Sequence, residues 1–182
     1  AGGYTGVEDT FLWSGQGPQQ NQATMRLKGN GDYKPLLRYD LGSAGIPAGS
    51  TIESAALQMY VTEVGHTNPS AVWSFAANVY GVKRSWEQNT ATWTVPWSVP
   101  GAGDPVTDRD SVVSGTTNVG SDSAGRWYEW RLDSLVRDWF TNARPNYGLL
   151  IEPGTGTGTY KSGFVYFASS NWANWQKPRL RV

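Results

Sequence analysis

Two tryptophans near the end of the chain, each beside an asparagine, have the residue types of a ligand-binding site. Asn171, Trp172, Asn174 and Trp175 lie within the polar segment 171–176. A flat indole ring held at the surface stacks against the C–H face of a sugar, and neighbouring amides donate and accept hydrogen bonds. The segment therefore predicts a carbohydrate contact. The alternative is that these tryptophans fold back as lids on the hydrophobic core.

Four basic residues form a second candidate site. Arg26, Lys28, Lys34 and Arg38 lie on the polar faces of two predicted strands and on the turn that joins them. Side chains on one face of adjacent strands meet across a sheet, and Arg and Lys bind carboxylates well. This pattern predicts contact with an acidic polysaccharide. The alternative is an ordinary solvated face with surface ion pairs of little energetic value.

Three aspartates in one predicted loop raise the question of calcium. Asp104, Asp108 and Asp110 recur at short intervals, and Ca²⁺ takes six to eight oxygen ligands that include carboxylates and backbone carbonyls. The spacing lacks the glycine and terminal glutamate of an EF-hand, so the hypothesis is a structural Ca²⁺ site of another kind. His66 is the only histidine and the chain has no cysteine, which argues against a transition-metal site.

The sequence offers little for catalysis. It contains no Gly-x-Ser-x-Gly motif for a nucleophilic serine. Glu8, Asp9, Glu87 and Glu129 are available for paired-carboxylate chemistry, but nothing in the sequence places two of them together. A lyase that uses tyrosine with lysine or arginine stays open. The prediction is that the chain is not an enzyme.

Composition limits the partners and the number of domains. The 182 residues carry fifteen basic and fifteen acidic side chains, so net charge gives no attraction to nucleic acid. No apolar run reaches the roughly 18 residues that a membrane span needs. Ten tryptophans and nine tyrosines accompany 22 glycines and ten prolines, which is typical of short strands joined by many turns. We expect one domain over residues 1–182, with no nucleic acid partner and no membrane insertion.

The elements that position these residues are predicted to be short antiparallel strands, because apolar residues alternate with polar ones along most segments. The predicted strands are 8–13, 23–28, 36–41, 52–61, 72–82, 126–132, 147–152, 164–167 and 178–182, with a short one at Val112 and Val113. Residues 153–161 are predicted to be a Gly/Thr loop. The economical arrangement is an all-β, two-sheet antiparallel sandwich of jelly-roll or Greek-key type.

One helix is predicted near residues 134–142. Leu135, Val136, Trp139 and Phe140 recur at helical spacing, and Asp133 or Ser134 is a plausible N-cap. The other tryptophans divide by their surroundings. Those flanked by apolar residues are predicted to pack in the core: Trp86, Trp93, Trp130 and Trp139. Three others lie near loops or strand ends, where the sequence does not decide between core packing and surface exposure: Trp13, Trp73 and Trp97.

Several motifs, in order along nearly the whole chain, resemble the DNRLRE domain family, which is related to disaggregatase-associated repeats. They are Asp9-Thr10, Leu36-Leu37-Arg38-Tyr39-Asp40-Leu41, Ile46-Pro47-Ala48-Gly49, Ser54-Ala55-Ala56-Leu57, the Trp86 to Trp93 segment, Pro100-Gly101-Ala102-Gly103-Asp104, Pro145-Asn146-Tyr147-Gly148 and Lys177-Pro178-Arg179-Leu180. Some members of that family are classed as carbohydrate-binding module family 96, which includes alginate binders.

The resemblance implies a jelly-roll sandwich, secretion to the cell surface or beyond it, and a non-catalytic role within a larger protein. Together with the composition, it favours an extracellular module that recognises a polysaccharide. The main alternative is a structural or adhesion module of a surface layer or filament, whose partners would be itself or other domains of the parent protein. A polysaccharide depolymerase is the third hypothesis.

Overall fold

The structure, a computed structural model, describes residues 6–47 and 49–182. Residues 1–5 of the predicted domain and Ala48 of the Ile46 to Gly49 motif lie outside the described residues. Within the described part the chain forms two antiparallel sheets and one short α-helix, so the prediction of an all-β sandwich is confirmed.

The ten strands have the following bounds: β1 Val7–Trp13, β2 Thr24–Lys28, β3 Tyr33–Tyr39, β4 Ala56–Gly65, β5 Trp73–Gly81, β6 Gly115–Gly120, β7 Arg126–Arg131, β8 Leu149–Gly158, β9 Phe164–Ala168 and β10 Arg179–Arg181. The helix α1 spans Asp133–Phe140, and a single 3₁₀ turn spans Tyr160–Ser162.

The strands divide between sheet A, in the order β1-β3-β8-β5-β6, and sheet B, in the order β10-β4-β9-β2 with β7 also paired to β4. The first five strands alternate between the two sheets, which is the crossing pattern expected of jelly-roll and Greek-key sandwiches. The predicted strands around residues 36–41 and 52–61 therefore lie in opposite sheets, and the chain crosses the sandwich between them.

The main core fills the space between the sheets. Leu37 and Ile151 point inward from sheet A, while Leu57, Met59 and Val61 point inward from sheet B. The alternation of apolar residues seen in the sequence is the alternation between this inner face and the outer one. Trp130 is fully buried, and its indole N–H donates to the Ala77 carbonyl oxygen of the opposite sheet at 2.8 Å. That bond satisfies the one polar atom of the ring.

A second core lies on the outer side of sheet A. Leu36 and Leu150 point away from the main core and are covered by the long segment between β5 and β6. That segment contributes Trp86 and Trp97, which are 2% and 6% exposed. The Trp86 indole N–H donates to the Tyr147 carbonyl oxygen at 2.7 Å. One outer face of the sandwich is thus closed by its own chain.

Two strand predictions are wrong at their ends. The strand predicted at residues 52–61 begins at Ala56 and continues to Gly65. The predicted loop 153–161 is mostly strand, because β8 continues to Gly158 and pairs with β5 along its length. The glycines of β8 are required because neighbouring atoms leave no room for a side chain. A Cβ at Gly156, for example, would overlap the Ser74 carbonyl oxygen. Glycine there indicates close backbone approach rather than a loop.

Two local predictions are also wrong. The strand expected at Val112 and Val113 lies at Gly115–Gly120 instead, and both valines are exposed. The helix is present, but its N-cap is Leu132 and no side chain caps it. The Asp133 carboxylate, predicted as a cap, instead accepts hydrogen bonds from the Ala55 N–H at 2.7 Å and from Arg131. These two bonds lower the pKa of Asp133, with the Arg131 contact the larger cause.

Candidate functional site

The outer face of sheet B differs from that of sheet A, because the described residues form no second buried cluster over it. On β4, Gln58 and Tyr60 point outward because Leu57, Met59 and Val61 point to the core. On β7, Trp127 and Glu129 point outward by the same alternation. We call this surface the open face. On β4 and β7 it presents two aromatic rings, Tyr60 and Trp127, and the outward-facing Phe164 and Tyr166 of β9 add two more.

Four residues of the open face form a contiguous group, which we call the aromatic platform. Tyr60 and Trp127 are cross-strand partners, with ring centroids 5.6 Å apart in an edge-on arrangement. Trp175 lies beside Trp127 at 6.0 Å, with 33° between the ring planes. The Arg179 guanidinium lies 4.7 Å from the centre of the Trp127 ring and 5.2 Å from that of Trp175.

The platform is held by strand pairing and by polar contacts at its edge. Arg179 is on β10 and is paired with Gln58 of β4. Its guanidinium donates to the Trp175 carbonyl oxygen at 3.2 Å, so it fixes the backbone of that tryptophan. The Gln58 amide donates to the Glu129 carboxylate at 2.8 Å. Aromatic rings therefore have hydrogen-bonding groups close by, the combination that sugar recognition requires.

The two tryptophans predicted to contact a ligand, Trp172 and Trp175, lie in different surroundings. Trp175 is 68% exposed and belongs to the platform. Trp172 is half-buried, and its indole N–H donates to the Gln176 side chain at 3.3 Å. The side chain of Asn171 donates to the Gln20 carbonyl oxygen at 2.6 Å, whereas Asn174 is exposed. The structure therefore places Trp175 beside Trp127 of another strand, and no ring contact joins it to Trp172 in the described residues.

A buried carboxylate anchors the segment that carries these tryptophans. Asp9 of β1 is 1% exposed and accepts hydrogen bonds from the backbone N–H and the hydroxyl of Ser170, at 2.6 and 2.8 Å. Burial raises the pKa of Asp9, and the two bonds from Ser170 oppose this rise. The Ser169 hydroxyl donates to the Gln22 carbonyl oxygen at 2.7 Å. The start of the segment is thereby attached to β1 of sheet A and to the loop that leads into β2 of sheet B.

The four basic candidates fall into two separate pairs. Arg26 lies on the outer side of β2 at 5.1 Å from the Tyr166 ring and 5.4 Å from the Trp13 ring. No carboxylate pairs with its guanidinium in the described part of the chain, and its Nε atom is buried without a hydrogen bond. Lys28 is beside it on β2 and pairs with Asp32 at 3.2 Å.

Lys34 and Arg38 lie on sheet A and are engaged with the covering segment. Lys34 pairs with Glu152 at 2.6 Å and donates to the Gly101 carbonyl oxygen at 2.8 Å. The Arg38 Nε–H donates to Glu8 at 2.9 Å, and its guanidinium is also 4.0 Å from Glu87. The sequence placed no two acidic residues together, yet Glu8 and Glu87 meet at this guanidinium. Lys34 and Arg38 belong to sheet A, whereas Arg26 and Lys28 belong to sheet B, so the two pairs do not meet.

The three aspartates of the calcium hypothesis have separate protein partners. Asp108 is fully buried, and its oxygens accept the N–H groups of Ser98 at 2.8 Å and Val99 at 3.0 Å. Burial alone would raise the pKa of Asp108, but these bonds and nearby Arg84 lower it. Asp104 accepts the Val106 N–H at 2.8 Å. Asp110 accepts a bond from Arg144 at 2.7 Å.

Within residues 6–47 and 49–182, no group of three or more His, Asp or Glu side chains is arranged to hold a metal ion. Both oxygens of Asp108 already face N–H donors, so calcium there would have to displace them. His66, the lone histidine, is stacked on Trp73 and hydrogen-bonded to Thr159.

Tyr60, Trp127 and Arg179 were missed at the level of the sequence. They are far apart along the chain and meet only through the register of β4 with β7 and β10. A signal was present, because Tyr60 and Trp127 stand at polar positions of alternating strands. An aromatic residue on the polar side of a strand is a candidate for surface recognition.

No helix of the described residues is long and apolar enough to cross a membrane.

A search of curated proteins finds no match to the chain. The family model of carbohydrate-binding module family 96 matches residues 3–182, essentially the whole sequence and the same family that the motifs resemble. The chain therefore belongs to carbohydrate-binding module family 96.

Proposed function

We propose that the chain is a non-catalytic module of a larger extracellular protein and that it binds a polysaccharide on the open face of sheet B. The observation that carries this proposal is the aromatic platform, where Trp175 is 68% exposed beside Trp127 and Tyr60. Family membership supports carbohydrate as the ligand class.

The chemistry of the platform suits a sugar chain. Indole and phenol rings offer flat apolar surfaces to the C–H faces of sugars, and they lose little conformational entropy on binding. Gln58 and Glu129 lie at the edge of the rings, where an amide and a carboxylate exchange hydrogen bonds with hydroxyl groups. Arg179 adds donors and a positive charge between the two indoles.

Arg26 and Lys28 extend the proposed site across the same face. The order β7-β4-β9-β2 puts them three strand spacings from Trp127, or roughly 14 Å at the usual separation of strands. The Nε atom of Arg26 is buried, but its terminal guanidinium nitrogens have no carboxylate partner among the described residues and are the donors that hydroxyl or acidic groups of a ligand would contact. A chain of several sugars, rather than a single sugar, fits a surface of this width.

Affinity gel electrophoresis across neutral and acidic polysaccharides tests the proposal. We expect the wild type to be retarded by at least one of them, and W175A to lose most of that retardation, with affinity about tenfold weaker or more. The matched control is V106A, because Val106 is 71% exposed on the segment that covers sheet A. Retardation by none of the polysaccharides, or equal retardation of W175A and wild type, would contradict the proposal.

Two further measurements separate the alternatives. A depolymerase would release new reducing ends from a bound polysaccharide, whereas we expect none above the buffer blank. A structural or adhesion module would self-associate, and size-exclusion chromatography at several protein concentrations, with and without Ca²⁺, detects that. We expect a single concentration-independent elution volume.

A further inference from the structure

A groove of about 740 Å³ opens at one end of the sandwich, next to the aromatic platform. Its floor includes Val7, Leu41, Ile46 and Leu180, which pack against the rim of the main core. The volume lies within the range of about 300–1,000 Å³ that is usual for pockets that bind small molecules. The groove is therefore an apolar opening between the two sheets and large enough for a ligand group.

The rim of the groove is positively charged. Lys177, Arg179 and Arg181 line it, and none of the described residues that line it is acidic. Neither Lys177 nor Arg181 has an ion-pair partner in the described part of the chain, and both are exposed. The Lys177 ammonium is close enough to the buried Asp9 carboxylate to lower the pKa of that group, so its charge is partly offset. An apolar floor with a rim of net positive charge favours a ligand with an apolar group next to a negative charge.

The groove is continuous with the proposed sugar-binding surface. Trp175 and Arg179 line the groove and also belong to the platform. A sugar ring stacked on Trp175 would therefore lie at the mouth of the groove, and a substituent on that ring would point into it.

We propose that this groove binds an acyl substituent on an acidic sugar residue that is stacked on the aromatic platform. The inference rests on the proposed function and narrows its ligand to acylated acidic polysaccharides. Burial of the acyl carbons against Leu41 and Ile46 provides the affinity, because each methylene removed from water is favourable. The cationic rim selects the acidic form of the sugar.

Three soluble probes test this by NMR, each kept below its micelle-forming concentration: octyl β-glucuronide, glucuronate and octyl β-glucoside. We expect octyl glucuronide to shift the methyl signals of Leu41, Ala44 and Ile46 together with the indole signal of Trp175. Glucuronate, which has no apolar group, should leave the methyl signals unmoved. Octyl glucoside, which has no charge, should bind more weakly than the glucuronide.

Two pairs of variants locate the effect. A44W fills the groove from an exposed position, and we expect about tenfold weaker binding of octyl glucuronide, while A143W, at an exposed position elsewhere, retains wild-type binding. R181A removes one rim charge and should weaken binding about two- to fivefold, whereas K161A is the matched control.

The outcomes separate the two proposals. If octyl glucuronide moves the Trp175 indole but no groove methyl, or if A44W binds as well as A143W, the acyl-binding inference is wrong while polysaccharide binding stands. If no polysaccharide retards the protein and no probe moves Trp175, the proposed function fails and takes the groove inference with it. Groove binding that is equal for the glucoside and the glucuronide contradicts the role of the cationic rim.

Discussion

Removal of the Asp108 carboxylate should destabilise the segment that covers sheet A, because that carboxylate organises the segment's backbone. Its two oxygens accept the N–H groups of Ser98, Val99 and Asp104, at 2.8, 3.0 and 3.3 Å, and the Arg84 Nε–H at 3.1 Å. The residue is fully buried. The D108A variant would leave three backbone donors without an acceptor.

The expected cost of D108A follows from these contacts. A hydrogen bond to a charged group contributes about 1.5–3 kcal/mol, and several bonds to one carboxylate are not additive. Arg84 is partly exposed, so its share is reduced by solvent screening. We expect a loss of about 3–5 kcal/mol for D108A. In D108N one oxygen remains, but an amide N–H₂ faces N–H donors, so we expect about 1–3 kcal/mol.

Scanning calorimetry measures this effect. For a chain of this length a loss of 3–5 kcal/mol lowers Tm by roughly 6–20 °C. The control is D122A, because the Asp122 side chain is 76% exposed and pairs with Arg126, which is itself exposed. We expect that control to change stability by no more than about 0.5 kcal/mol. If D108A unfolds at the same temperature as D122A, the proposed role of Asp108 is refuted.

Three other predictions concern pH, backbone geometry and calcium. Burial raises the pKa of Asp9 above its unfolded-state value, so the folded state favours the protonated carboxyl, and this contribution to stability is lost as pH rises through the folded pKa. The Tm of D9N relative to wild type should therefore increase as pH rises from about 4, the unfolded-state pKa of an aspartate, toward neutral. A difference that stays constant with pH would contradict this. Gly148 has φ +81° and a Cβ there would overlap the Leu37 carbonyl oxygen, so G148A should lose more than about 1 kcal/mol in urea unfolding while G17A, with open space around it, should not. The calcium hypothesis predicts a Tm higher by about 5–10 °C in saturating Ca²⁺ than in EDTA, and equal values would remove it.

Much of the fold was predictable because most strands bury one face against the core and leave the other face more exposed. Along β4 and β5, period-two alternation follows from an apolar inner face and a polar outer face. The tail of β8 was not predictable in this way. Its Gly-Thr repeat has the composition of a loop, yet Gly156 is needed where the chain passes close to Ser74.

The site was only partly predictable, for reasons of topology. Trp175 has a residue type and a polar setting that mark it as a surface aromatic. Trp127 and Tyr60 join it through strand register, which local sequence does not encode. The four basic residues were expected to meet because β2 and β3 are adjacent in sequence, but these two strands lie in opposite sheets. Arg26 and Lys28 thus stay with sheet B, while Lys34 and Arg38 bind the covering segment.

The most direct test of polysaccharide binding on the open face is an NMR titration of the indole N–H signals. Fragments of a polysaccharide that retards the protein are added to uniformly labelled wild type. Binding on the open face should give saturable shifts of the Trp175 and Trp127 signals, while Trp86 and Trp130, both buried and hydrogen-bonded, stay unchanged. Shifts confined to tryptophans of the segment covering sheet A, with Trp175 and Trp127 unmoved, would contradict it.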